Sequence, residues 1–263
     1  MLFEDFFIFS TMSLHFPILH SLIEFFYRRR FAAVKAYIPV LQSGFPYFSR
    51  LSPSDKRRFA HRVYSFRKSK NFHFLEMEVK EEVIILVSAA AIQLTFGLPE
   101  FIFTVFEDIY IIRGPYTLGS NPVAWEGHVT PGGIYIAYDR LLQGYAGEDD
   151  GNNVGLHEMA HAMEYEIAYG EMAEDNPLTW RFRQLSIWIN DNMMAPNVQH
   201  AEDLFSVHGL SNMHECWAES IEFFFEKPAR LQEAYPELYG RLCILLNQQP
   251  LEKLSGADQT AFR

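Results

Sequence analysis

Two histidines and a glutamate stand together at residues 157–161, which read His-Glu-Met-Ala-His. In a helix, positions i and i+4 lie on one face, so His157 and His161 can direct both imidazoles at one metal ion. Glu158 occupies the neighbouring flank, from which a carboxylate reaches a water molecule on that metal and takes its proton. The spacing therefore predicts a zinc site that activates water.

The residues around this motif favour a buried helix. Residues 152–169 carry apolar side chains such as Leu156 and Met163, and Asn152 or Asn153 provides an N-cap. Burying two histidines and a glutamate is costly unless they bind something. The alternative, ordinary surface histidines on an exposed helix, is therefore disfavoured.

A catalytic zinc needs a third protein ligand and one open position. The segment NMHECWAESIEFFFEKP offers Glu215, Glu219 and Glu222 at i, i+4 and i+7, which places three carboxylates on one helix face. His208 and His214 are nearby rivals, and a solvated acidic stripe is a further alternative. The spacing alone does not select the ligand.

The elements that must position these residues follow from hydrophobic periodicity and from turn and cap signals. Strands are predicted at 71–78, 101–112 and 133–138, with a Gly- and Pro-rich loop over 113–132. Helices are predicted after Ser52 or Ser54 and at 79–96, 152–169, 178–194, 212–227 and 235–247. Strands first and helices afterwards indicate an α+β layout.

Composition limits the class of protein. The chain has 263 residues, of which 49% are hydrophobic, and carries a net charge of -11. This describes a globular protein that does not bind nucleic acid directly, because phosphate contacts need a basic face. Cys216 and Cys243 stand far apart outside any ligand spacing, which favours two core residues in a reducing, cytoplasmic compartment. We predict a hydrophobic extension over residues 1–45 and a single domain over 46–263.

The N-terminal segment leaves membrane association open. Residues 6–23 contain no Lys, Arg, Asp or Glu, and three arginines follow at Arg28–Arg30. That length and positive flank are typical of a membrane anchor. However, His15, His20 and Pro17 lie inside the segment, which favours an interfacial or packed helix.

Three stretches together resemble the Mlc titration factor A family, zinc peptidases whose catalytic core is similar to that of anthrax lethal factor. They are AAIQLTFGLPEF, GGIYIAYDRLLQGYAGEDDGNNVGLHEMAHAME and SNMHECWAESIEFFFEKPARLQEAYPELYGRLCILLNQQP, and the similarity spans roughly residues 50–250. The resemblance implies a mostly helical, zincin-like (gluzincin) metallopeptidase fold with a small sheet beside the HExxH helix. It also implies His157 and His161 as zinc ligands, Glu158 as general base, Glu215 as third ligand and Glu222 as a second family glutamate.

Two positions depart from the family pattern. The family has a tyrosine seven residues before the third ligand, and this sequence has His208 there. An imidazole can also donate a hydrogen bond to an oxyanion, so His208 is predicted to replace the tyrosine. Glu219 is not a family feature, and we predict that it orients a zinc-bound histidine from behind.

The resemblance implies an aminopeptidase-like hydrolase that holds one zinc per chain and cleaves peptide or protein substrates. The alternative is a regulatory binding protein, since family members can sequester a transcriptional repressor that controls sugar uptake. A third hypothesis, a membrane-tethered protease, depends on residues 6–23.

Overall fold

The computed structural model describes residues 32–119, 123–146, 151–170, 176–195 and 204–251. The predicted segment at residues 6–23 lies outside this part of the chain. Within it, no helix combines the length and apolarity needed to cross a bilayer. Residues 32–44 form helix α1, whose Val34, Tyr37 and Leu41 are buried in the main hydrophobic core.

Nine further helices and six strands follow along the described residues. The helices are α2 (Pro46–Ser49), α3 (Pro53–Lys68), α4 (Glu81–Thr95), α5 (Tyr138–Ala146), α6 (Val154–Tyr169), α7 (Pro177–Asn192), α8 (Met213–Glu226), α9 (Pro228–Ala234) and α10 (Pro236–Leu246). The strands are β1 (Asn71–Leu75), β2 (Asp108–Ile112), β3 (Tyr116–Thr117), β4 (Ala124–Trp125), β5 (Gly127–Thr130) and β6 (Gly133–Ala137). The protein is thus mostly helical with little strand, which agrees with the predicted α+β class.

The main sheet is mixed and has the order β1-β2-β6-β5. Strands β1, β2 and β6 are parallel, whereas β5 pairs antiparallel with β6 and forms one edge. Side chains alternate across a strand, so one face buries four isoleucines, Ile109, Ile111, Ile134 and Ile136. The other face carries four aromatic rings in register, which stack at 4.2–4.7 Å between centroids: His73, Tyr110, Tyr135 and His128.

The core lies between this sheet and the helices. In α4 every residue from Val83 to Thr95 is buried, as expected of a helix that is apolar on all sides. The buried hydroxyl groups of Ser88 and Thr95 are still hydrogen-bonded, because each donates to the carbonyl four residues earlier. Helix α6 packs against α4, α8 and strands β5 and β6. It is therefore held on several sides.

Most predicted elements are confirmed to within a few residues, and two predictions are wrong. The strand predicted over 101–112 begins only at Asp108. Before it, the Val105 amide and the Thr104 hydroxyl donate to the side chain of Glu166, so a carboxylate replaces a neighbouring strand as their partner. The loop predicted over 113–132 instead contains β3, β4 and β5, because Pro131 and Gly132 form a turn that pairs β5 with β6.

Candidate metal centre

The histidine pair is presented by the first turns of α6. Asn153 is the N-cap, and its Oδ1 accepts a hydrogen bond of 3.0 Å from the Leu156 amide, an interaction worth about 1 kcal/mol. The following turn directs His157 and His161 to the same side, where their Nε2 atoms lie 3.2 Å apart. The local sequence thus sets both the start of the helix and the distance between the two imidazoles.

The third donor comes from α8, which is docked on α6 by a buried tryptophan. Trp217 is fully buried, and its Nε1 donates to the carbonyl of Ala160 at 2.9 Å. At the other end, Asn212 caps α8 by accepting from the amides of His214 and Glu215. This packing sets the rotation and the height of α8 relative to the two histidines.

The docked helix places Oε2 of Glu215 3.1 Å from Nε2 of His157 and 3.4 Å from Nε2 of His161. Within the described residues these three side chains form one group whose ligand atoms all lie within 4.8 Å of one another. Tetrahedral zinc with bonds of about 2.0–2.1 Å separates its ligand atoms by about 3.3 Å. The donor atoms therefore fit a single tetrahedral metal ion.

Glu222 stands behind His157. Its Oε1 lies 2.8 Å from His157 Nδ1, and its Oε2 accepts from the Asn153 amide. Burial by itself would lower the pKa of His157, but hydrogen bonds with Glu215 and Glu222 outweigh it and raise that pKa well above its usual value. A carboxylate at Nδ1 leaves Nε2 directed at the metal position.

Glu158 is buried beside this group, with 3% of its surface exposed. Burial raises the pKa of Glu158 to about 8, and the neighbouring Glu215 and Glu222 add to the increase. Its Oε2 has no hydrogen-bond partner among the described residues, although it borders the cleft. A bound metal with its water would satisfy this carboxylate, so the buried unpaired oxygen also fits a metal centre.

A glycine in β5 makes room for Glu158. A Cβ atom on Gly127 would lie 2.4 Å from Glu158 Oε1, which is closer than side chains tolerate. Gly127 was not predicted as part of the site, because residues 113–132 were predicted to form a loop. The available signal was a single glycine followed by residues that form a strand, since glycine in a strand often marks the close approach of another group.

His208 contacts one of the three clustered donors, Glu215. Its Nε2 lies 3.0 Å from Glu215 Oε2, its side chain is 68% exposed, and its ring centroid is 6.4 Å from that of His157. It is not one of the three clustered donors. The rival His214 instead pairs with Glu164 at 2.6 Å.

Glu219 contacts a backbone amide and neither of the two clustered histidines. Its Oε2 accepts from the Ser206 amide at 3.0 Å, in the loop that carries His208. The carboxylate on a ring nitrogen of His157 is that of Glu222. The two glutamates of α8 thus hold different parts of the site, although they share a helix face in the sequence.

A cleft of about 1150 Å³ opens over the group. Edge strand β5 forms one wall of the cleft. In this wall Nδ1 of His128 is hydrogen-bonded to the hydroxyl of Tyr116 at 2.6 Å. Burial lowers the pKa of His128 and raises that of Tyr116. Among the described lining residues none is Lys or Arg, and six are glutamates: Glu126, Glu158, Glu164, Glu215, Glu219 and Glu222.

Two imidazoles and one carboxylate beside a buried, unpaired carboxylate form the donor set of a metal-dependent hydrolase. The sequence comparison agrees with this class. The model of the glucose-regulated metallo-peptidase M90 family matches residues 26–245, and the chain belongs to that family.

Named relatives are proteins called Mlc titration factor A, which confirms the predicted resemblance. The chain is 29% identical over 118 residues to the protein of Escherichia coli (strain 55989 / EAEC) and, to the same extent, to that of Shigella flexneri. It is 30% identical over 112 residues to the protein of Yersinia pestis (strain Pestoides F). These alignments cover 40–42% of this chain and 40–43% of the relatives, so the match spans less than half of their length.

Proposed function

We propose that the protein is a zinc-dependent peptidase with a zincin-like, gluzincin fold and aminopeptidase-like activity. The observation that carries the proposal is the convergence of His157, His161 and Glu215 beside the buried Glu158. The family assignment supports hydrolysis, since it is a family of metallo-peptidases.

Two imidazoles and one carboxylate suit zinc, and the group has room for one ion per chain. When bound, the ion supplies Lewis acidity, which polarises a carbonyl and lowers the pKa of a water molecule. Glu158 then takes the proton from the attacking water and delivers it to the leaving amine. Burial raises the pKa of Glu158, which favours the uptake of a proton by its carboxylate.

His208 is proposed to donate a hydrogen bond to the carbonyl oxygen as negative charge develops there. It is exposed to the cleft and in contact with Glu215, so it can reach the open side of the group without joining it. A donor that strengthens its bond as charge forms lowers the barrier to the chemical step.

The cleft supports a peptide substrate with a free amino terminus. The outer edge of β5 pairs with no strand among the described residues and borders the cleft, so its backbone groups can pair with an extended peptide. No Lys or Arg is among the described lining residues, and the carboxylates there give the cleft a negative potential that attracts an ammonium group.

The alternative function is a regulatory binding protein that sequesters a transcriptional repressor. It is favoured only by the relatives' name, which describes a titration of Mlc. One variant, Glu158→Gln, distinguishes the two functions. It removes the proposed base needed for peptide cleavage and leaves the protein surface, which would bind a repressor, intact.

The deciding experiment measures bound metal by elemental analysis and cleavage of a small peptide library, each with and without a chelator. We expect about one zinc per chain in the wild type, far less in His157→Ala, and unchanged zinc without turnover in Glu158→Gln. Undiminished zinc in His157→Ala would contradict the ligand assignment. Equal inactivity of wild type and Glu158→Gln, with binding of a repressor by both, would replace the peptidase by the binding protein.

A further inference from the structure

The loop that carries His208 contains a tight, internally hydrogen-bonded turn, Ser206–Ser211, called here the His208 turn. The amide of Leu210 donates to the Ser206 carbonyl at 3.0 Å, and the amide of Ser211 donates to the His208 carbonyl at 2.9 Å. The Gly209 amide donates to Ser206 Oγ at 2.9 Å. These hydrogen bonds link Ser206 to the backbone around His208, so a contact that fixes Ser206 also constrains the position of His208.

Glu219 holds that unit to α8. Its Oε2 accepts from the Ser206 amide at 3.0 Å, and Gly209 packs directly on the same carboxylate. A Cβ atom on Gly209 would lie 1.7 Å from Glu219 Oε2, so glycine is the residue that permits this approach. Since Glu215 and Glu219 are one turn apart on α8, one helix supplies both the donor oxygen and the anchor of the turn.

The His208 ring itself has little else to fix it. Among the described residues its one polar contact is with Glu215, and most of its side chain is exposed. The residues on either side of the His208 turn are secured separately, because Phe205 packs on Phe223 and Tyr235 at 5.4 and 5.5 Å, and Asn212 caps α8. Glu219 thus acts on the turn itself, to which the His208 ring is attached.

From these contacts we infer that Glu219 is a positioning residue for the reaction, which sets His208 over the open side of the metal group. The inference rests on the proposed function and assigns Glu219 a role through the Ser206 amide, instead of the predicted contact with a zinc-bound histidine. The carboxylate is not one of the clustered donors, and its positioning role passes through the Ser206 amide to His208.

The test compares Glu219→Ala, Glu219→Gln, Gly209→Ala, His208→Ala and the double variant Glu219→Ala/His208→Ala, with Glu233→Ala on the exposed surface of α9 as matched control. We expect Glu219→Ala and Gly209→Ala to lower kcat about tenfold or more, with KM within about twofold and bound metal unchanged. Glu219→Gln retains an acceptor oxygen and should keep most of the activity. The double variant should be no slower than His208→Ala, because the anchor has no effect once the ring is gone.

Additive losses in the double variant, or full activity in Glu219→Ala, would overturn the inference while leaving the peptidase proposal intact. If the wild type cleaves no peptide, the proposed function fails, and amide hydrogen exchange still tests the anchor. Exchange of the Gly209 and Leu210 amides should rise in Glu219→Ala and stay near wild type in Glu219→Gln and Glu233→Ala. Unchanged exchange in Glu219→Ala would also overturn the inference.

Discussion

The Nδ1 atom of His157 lies 2.8 Å from Oε1 of Glu222, a residue whose other carboxylate oxygen accepts from the amide of the N-cap Asn153. One buried glutamate therefore couples the orientation of a proposed ligand to the first turn of the helix that carries it. The contact joins α8 to α6 beside the three clustered donors, His157, His161 and Glu215.

Replacing this glutamate should weaken metal binding. In Glu222→Gln a neutral amide holds the imidazole less strongly, and we expect metal affinity to fall about 10–100-fold. Competition with a chromophoric chelator measures the change. The exposed Glu233→Gln on α9 is the control, and equal affinity in both variants would show that Glu222 does not support the ligand.

A methyl group on Gly127 should displace the proposed base. The added Cβ would lie 2.4 Å from Glu158 Oε1, so Gly127→Ala must move that carboxylate or the strand. We expect kcat to drop at least about tenfold, because misplacement by 1 Å can cost about 100-fold, while bound metal stays constant.

The same hairpin offers a matched control. At Gly132 the nearest atom to an added Cβ is 3.5 Å away, which is ordinary contact. Gly132→Ala should therefore keep the wild-type kcat. Equal kcat values for the two alanine variants would mean that Glu158 does not need its present position.

His208→Ala should separate catalysis from metal binding. We expect kcat/KM to fall by about 100-fold, the effect of removing one oxyanion donor, with metal content unchanged. His208→Tyr should retain activity, because a phenol also donates a hydrogen bond. His214→Ala, at another exposed cleft histidine, serves as control, and loss of metal in His208→Ala would instead make His208 a ligand.

Lys70 should make stability depend on pH outside the site. The residue is only 9% exposed, its Nζ donates to the Phe103 carbonyl, and burial lowers its pKa from 10.5 to about 8. Between these values the unfolded chain binds the proton more strongly than the folded protein. The free energy of unfolding should therefore rise between about pH 8 and pH 10.5, by up to about 1.4 kcal/mol per pH unit. Below about pH 8 the lysine is charged in both states, so the full cost of burying the charge lowers the stability.

Denaturant titrations of Lys70→Met across this pH range check the effect. The variant should lack the part of the slope that Lys70 contributes, whereas Lys68→Met, at an exposed neighbouring lysine, should keep it. The same slope in the wild type and in Lys70→Met would contradict the assignment.

Local features of the sequence predicted the parts of the site that lie within one helix. The His157–His161 spacing places both rings on one face in any helix, and Asn153 starts that helix by capping it. Periodicity likewise located α7, α8 and α10 to within a few residues. Predictions were wrong between residues 101 and 132, where Glu166 and β6 supply distant partners to the backbone.

The sequence by itself determined which residues share a helix face, because the helical repeat sets that relationship within a few residues. The spacing alone left Glu215, Glu219 and Glu222 equivalent, since all three project from the same side of α8, and only the family resemblance favoured Glu215. The tertiary structure gives each carboxylate its own contacts, because the docking of Trp217 on α6 sets the height of each one. That docking puts Glu215 between two imidazoles, Glu222 behind His157, and Glu219 on the Ser206 amide. Contacts between separate elements depend on how the whole core packs, and no local spacing encodes them.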